Sequence, residues 1–130
     1  MVVRGAAAML AKLGLDESAL ECGTHWPSDH SSGISLALAG GAPNQLHNNC
    51  SGKHSGFLGV CVHCGMDHHG YVGFGHPFQQ MIRETMQDVT GIAHDSENAA
   101  VDGCAIPTYA VPLRSMALGF SRMGGGKGLS

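Results

Sequence analysis

Apolar residues recur along most of this chain three or four apart, the spacing of helix faces rather than the alternation of strands. Arg4–Leu13 is rich in Ala, Leu and Met, all good helix formers, and Gly14 is placed to stop it. Asp16 can cap a short second piece, Glu17–Glu21. Ser31–Ala39 is small and apolar, with Ser and Asp in front and Gly40-Gly41 behind, the frame of a short helix. From about Ser51 to Cys64 a helix is predicted with Phe57, Leu58, Cys61 and Cys64 on one face and Gly65 at its end. Pro77 suits the first position of a helix to about Thr90, with Phe78, Met81, Ile82, Met86 and Val89 as its buried stripe and Gly91 beyond it. Leu113–Met123 follows Pro112 in the same way.

The segments between these helices carry turn chemistry. Cys22–Asp29 reads as a loop whose Trp26, before Pro27, is expected to be a packing anchor. Ala42–Asn49 is loop by its Pro and Asn content, and Met66–His76 by its Gly and His content. Ala99–Val101 fits a short strand leading into Asp102-Gly103-Cys104, and Pro107 and Pro112 keep Ile106–Pro112 out of regular helix. Gly52, Gly56 and Gly59 each cost the Ser51–Cys64 helix about 1 kcal/mol relative to Ala, so tertiary packing must hold it. Their expected benefit is the close approach of another backbone or a ligand. The pattern predicts one α/β (α+β) domain over residues 1–123, rich in helix with one or two short strands, then a glycine-rich disordered tail over 124–130.

Composition narrows the class of partner. At 130 residues the chain is large enough to bury a core, 43% of it is apolar, and only 13% is charged. A net charge of −3 with no Lys/Arg cluster points away from nucleic acid and from acidic membrane surfaces. Arg4 precedes an apolar run that resembles a targeting segment, but Lys12 breaks it and Asp16 and Glu17 follow without a cleavage site. No run approaches the length of a bilayer span. Five cysteines, an odd number, do not read as a secreted disulfide framework, so a reducing cytoplasm is expected.

Candidate chemistry concentrates in His47–Leu58, which packs two histidines, a cysteine, a lysine, two serines and two asparagines into a dozen residues. Cys50 and Lys53 form a Cys-x-x-Lys pair, with His54 next, on the first turn of a predicted helix where i and i+3 share a face. The positive end of a helix favours thiolate, the form that serves a soft metal or a nucleophile. Lys53 could ligate only after losing its proton, a loss that a metal ion can offset. The bland alternative is a small buried Cys beside a solvated Lys. Cys104, which ends a turn beside Asp102, is the candidate distant partner. Cys61 and Cys64 make a formal Cys-x-x-Cys at the end of an apolar helix, where core packing is the expected role, and His63, His68, His69 and His76 around them match no standard spacing and read as surface histidines. A phosphate-binding loop fails, because His47 and His54 stand where glycine and a hydroxyl residue are required. No Ser-x-x-Lys pair, Gly-x-Ser-x-Gly elbow or His-Glu-x-x-His motif occurs.

His47-Asn-Asn-Cys-Ser-Gly-Lys-His54 together with Asp102-Gly-Cys-Ala-Ile-Pro-Thr-Tyr-Ala-Val-Pro-Leu113 resembles the Rhizobium etli type of L-asparaginase, the thermolabile or asparaginase II family. Ala8-Met-Leu-Ala-Lys-Leu-Gly-Leu-Asp16, His25-Trp-Pro27 and His76-Pro77 resemble it too, so the likeness covers about residues 5–123. The resemblance implies hydrolysis of L-asparagine to L-aspartate and ammonia on a fold similar to serine β-lactamases and penicillin-binding proteins. It implies a serine nucleophile activated by lysine, and a zinc ion held by Cys50, Lys53 and Cys104. His54 and Asp102 then become candidates for substrate contact or for orienting the ligands.

The family's Ser-x-x-Lys nucleophile, its second serine and a further catalytic lysine have no counterpart in these residues. The expectation is therefore a central fragment that carries the metal site, lacks catalytic residues and is inactive alone. A fragment of this kind is expected to expose the apolar faces of the Phe57 and Phe78 helices and to be partly molten. Two other readings stay open: a non-catalytic zinc-binding module using the same ligands, and a cysteine hydrolase pairing Cys50 or Cys104 with a histidine. The sequence leaves homo-oligomerisation and the choice between asparagine and glutamine undecided.

Overall fold

The computed structural model describes residues 2–126 and 128. In chain order its helices are α1 (Val2–Lys12), α2 (His30–Leu38), α3 (Ser51–His63), α4 (Pro77–Thr90) and α5 (Leu113–Gly125), with 3-10 turns at Glu17–Ala19 and Gln45–His47. Strands β1 (Ala99–Val101) and β2 (Pro107–Tyr109) pair antiparallel, Ala99 opposite Tyr109 and Val101 opposite Pro107. The outcome is helix-rich with one small sheet, as the pattern predicts.

Local chemistry sets most of the boundaries. Asp16 and Asp29 accept the Ser18 and Ser32 backbone N–H groups, so each caps the turn or helix it precedes. His76 caps α4 through Nδ1, with Pro77 behind it in the first helical position. Gly91 closes α4 at φ 75°, a left-handed conformation that a Cβ would strain. α5 runs two residues beyond the expected Met123, so Gly124 and Gly125 lie in helix rather than in the expected tail. The remainder of that tail at Lys127, Leu129 and Ser130 lies outside the described residues. The 42–49 loop contains one unforeseen turn, Gln45–His47, closed reciprocally by Asn44 and His47.

One cluster of side chains forms the core: Leu10, Leu20, Cys22, Leu58, Cys61, Tyr71, Phe78 and Cys104. α1 packs across α3, and α4 packs along α5. Gly119 permits the second contact, since a Cβ there would lie 3.1 Å from Val89 Cγ1. Phe57 and Phe78 do not present open apolar faces. Their rings pack on each other at 4.9 Å between centroids, and Phe78 is fully buried. The exposed apolar surface lies instead on α2 and α5, where Leu38 is 85% and Leu113 79% exposed. Trp26 is not the expected anchor, being 50% exposed where it lines an open groove with Pro27, His30 and Ile34. Cys61 is buried as expected, whereas Cys64, at the C-terminal cap of α3, is exposed. Among the described residues no helix is long and apolar enough to cross a membrane.

The fully buried Leu58 tests this core. Leu58→Ala is expected to lower unfolding stability by about 2–5 kcal/mol. Leu38→Ala on the exposed end of α2 is expected to change it by less than about 0.5 kcal/mol. Urea denaturation followed by circular dichroism reads both, and equal losses would place the core elsewhere.

Candidate functional site

The turn that starts α3 is organised by Asn48. Its buried side chain donates to the Gly23 carbonyl at 2.7 Å and accepts the Cys50 N–H at 2.8 Å. Its carbonyl accepts the Ser51 N–H at 3.0 Å. Cys50 therefore occupies a fixed place before the helix, and Lys53 projects from the first turn. The opposing turn is tied by Asp102, whose Oδ1 accepts the N–H groups of Cys104 at 2.9 Å and Ile106 at 3.1 Å. Ala105 sits in that turn at φ 73°, unusual for a residue with a Cβ.

The two turns meet. Lys53 Nζ donates to Cys104 Sγ at 3.0 Å and lies 3.5 Å from Asp102 Oδ2. The Cys104 thiol donates to the Asp102 carboxylate, with 3.1 Å and 3.3 Å to its two oxygens. The Cys50 thiol lies near enough to help raise the Cys104 thiol. So Cys50, Lys53, Asp102 and Cys104, drawn from positions about fifty residues apart, share one locus.

Their charges are interlocked. Burial pushes the Cys104 thiol up to about 11, helped by Asp102 and Cys50 and opposed by the Lys53 ammonium. Burial draws Lys53 down, but its contacts with Cys104, Cys50 and Asp102 outweigh that and hold the ammonium above its ordinary range. Burial pushes Asp102 up, and hydrogen bonds from Cys104 and Ile106 with the Lys53 charge more than reverse it. Without a metal the cluster is an ammonium, a carboxylate and protonated thiol at Cys104.

His54 points the other way from α3, into the core. It is fully buried, and its Nδ1 lies 2.6 Å from the Tyr71 hydroxyl. That hydroxyl also accepts the Glu21 N–H at 3.1 Å, so its own hydrogen goes to His54 Nδ1. Burial holds the Tyr71 phenol far above its usual range, which keeps it a donor. Burial first, and the Lys53 charge second, lower His54 to about 4, so the imidazole is neutral near pH 7. With Nδ1 accepting, the hydrogen resides on Nε2, and that N–H is buried without a partner. The Cys104 backbone is the group that it faces, short of a well-formed hydrogen bond. Tyr71 was not singled out by the sequence, where an isolated aromatic in a Gly- and His-rich loop was the one available signal. Phe57, whose ring lies 5.9 Å from Lys53 Nζ, belongs to the site wall rather than to an exposed face.

The surface histidines divide. His63 is exposed, and His76 is spent on capping α4. Asp67, His68 and His69 bring their ligand atoms within 4.8 Å of one another.

In the presence of chelator, the His54 ring is expected to titrate near pH 4 in its NMR signals. In the unfolded chain it takes up its proton near its ordinary value of 6.5. Between those values the unfolded state binds more protons, so the contribution of His54 to stability is whole above pH 6.5 and declines as pH falls toward 4. A folded midpoint near 6.5 would place the ring in water.

No curated protein matches the chain. The family model described as L-asparaginase II matches residues 1–130, reaching past the expected 5–123 into both termini. With Cys50, Lys53, His54, Asp102 and Cys104 all falling inside that match, the chain belongs to the L-asparaginase II family.

Proposed function

We propose that the chain forms part of an amidohydrolase that converts L-asparagine and water to L-aspartate and ammonia, with zinc held by Cys50, Lys53 and Cys104. The observation that carries the reading is the family match over the whole chain. The donor set fits the metal: two thiols and an amine converge, with Lys53 Nζ 3.0 Å from Cys104 Sγ. Zinc bound there would supply a fixed positive charge that draws the thiols into thiolates and holds the two turns together.

The chain's own residues prepare that site. To serve as a ligand Lys53 would release its proton to solvent, a loss that the metal's charge would offset, while Asp102 stays charged beside it, oriented by two backbone N–H groups. Asp102 thus directs Cys104 and balances the local positive charge. We assign His54 to positioning: neutral, buried and facing the Cys104 backbone, it backs the turn that carries Cys104. We place nucleophilic attack outside these 130 residues, on a serine activated by lysine, since no Ser-x-x-Lys occurs here. That serine attacks the side-chain amide, ammonia leaves, and water releases aspartate from the acyl-enzyme. We read the described elements as the helix-rich central part of a fold like that of serine β-lactamases and penicillin-binding proteins. Five free thiols suit a reducing cytoplasm. A cysteine hydrolase is disfavoured: among the described residues the hydrogen bonds of the Cys104 sulfur go to Lys53 and Asp102, and none goes to a histidine.

Zinc content and ammonia release test the proposal together. The purified chain is expected to hold about one zinc equivalent, to lose it in Cys104→Ser, and to release no ammonia from L-asparagine. Turnover by the chain alone would overturn the placement of the nucleophile. Zinc content unchanged in both Cys104→Ser and Lys53→Ala would overturn the ligand set. Calorimetry with L-aspartate should show binding by the zinc-loaded chain, whereas no binding would confine the site to a structural metal.

A further inference from the structure

We propose a second metal site, of a different ligand class, at Asp67, His68 and His69, taking a borderline divalent transition ion such as Ni²⁺, Co²⁺ or Zn²⁺. Consecutive residues ordinarily point apart, but here two imidazoles and a carboxylate turn toward one point. The His68 and His69 rings lie 4.3 Å apart between centroids at 32°, and His69 Nδ1 lies 2.8 Å from Asp67 Oδ1. One ligand atom from each of the three falls within 4.8 Å of the others. Ions with bonds of about 2.0–2.1 Å place neighbouring ligand atoms about 3 Å apart, so exposed side chains of the group close in by rotation as the ion binds. Two nitrogens with one carboxylate, left open to water on the remaining side, suit Ni²⁺, Co²⁺ and Zn²⁺ better than Ca²⁺ or Mg²⁺.

The loop is held in this shape from both ends. His76 Nδ1 accepts the Phe78 N–H at 3.1 Å, so its Nε2 carries the hydrogen and donates to the Asp67 carbonyl at 2.9 Å. The His69 N–H returns to Asp67 Oδ1 at 3.0 Å, closing an Asx turn, and the Gly70 N–H donates to Glu21 Oε1 at 2.6 Å. α4 and the segment after α1 thereby fix the backbone that carries the histidines before any ion arrives, and less entropy is lost on binding.

Two further observations point to a cation. Glu21 Oε2 is buried without a partner, and Glu21 lines a cavity of about 190 Å³ with Asp16, His68 and His69. Three carboxylates therefore surround two imidazoles, a negative field that concentrates cations. His68, half-buried, makes no hydrogen bond among the described residues, so no structural duty accounts for its place. The site is separate from the thiol cluster and does not depend on asparaginase chemistry.

Ni²⁺ and Co²⁺ titrations of the full chain test it, followed by calorimetry and by broadening of histidine NMR signals. Wild type is expected to bind Ni²⁺ with His68 and His69 the first signals broadened. His68→Gln/His69→Gln is expected to lose that binding at least tenfold in affinity with unchanged circular dichroism, and Asp67→Asn to weaken it by about tenfold. In Cys50→Ser/Cys104→Ser the site is retained, and its Co²⁺ spectrum lacks sulfur-to-metal bands, which separates its fate from that of the thiol cluster. Equal Ni²⁺ affinity in wild type and His68→Gln/His69→Gln would overturn the proposal, whether or not the cysteine variant folds.

Discussion

The structure depends on α3 burying a face that is half polar. Ser51, His54 and Ser55 lie on the same inward side as Leu58 and Cys61, all of them buried. Apolar burial at Leu58 and Cys61 supplies the driving force, while each buried polar group must find a partner or cost about 1–3 kcal/mol. Ser55 resolves this locally by donating to the Ser51 carbonyl at 2.9 Å, and His54 resolves half of it through Tyr71. The Ser51 hydroxyl and His54 Nε2 keep no partner. A helix with three glycines and no side-chain cap holds such groups in place because α1 packs across it.

From that arrangement the site follows. Burying His54 commits Tyr71 and, through Tyr71, the Glu21 backbone to the core side of α3. The helix then leaves Cys50 and Lys53 at its open end, where the Asp102 turn closes over them. Asp102 couples the two demands, since one carboxylate shapes its own turn and faces both the thiol and the ammonium. The Lys53–Asp102 pair is about one-third exposed on each side, so its worth lies in orienting groups more than in net stability. Membership of the L-asparaginase II family gives this geometry its chemical context.

Helix boundaries were legible where capping chemistry is local. Asp16, Asp29, Pro77, Gly91 and Pro112 mark starts and stops through bonds and torsions within a few residues of themselves. The Cys50, Lys53 and Cys104 set was legible through its resemblance to a family, since spacing alone could not show that positions about fifty residues apart meet. Trp26 and the Phe57 and Phe78 faces misled because burial is decided by what packs opposite. Phe57 and Phe78 find each other, and Trp26 meets only one side of an open groove beside α2.

Two roles had almost no sequence signal. Tyr71 is one aromatic in a loop, and only the fold brings it 2.6 Å from a histidine seventeen residues earlier. His68 and His69 are unremarkable neighbours until His76 and Glu21 tie their loop down. By itself the sequence determined the five helices, the ends that carry a local cap and the inventory of reactive groups, because those depend on torsional preference and short-range hydrogen bonds. Tertiary structure decided which thiol faces which ammonium, which imidazole stays neutral and which donor is left free, because those depend on burial and on distances across the fold.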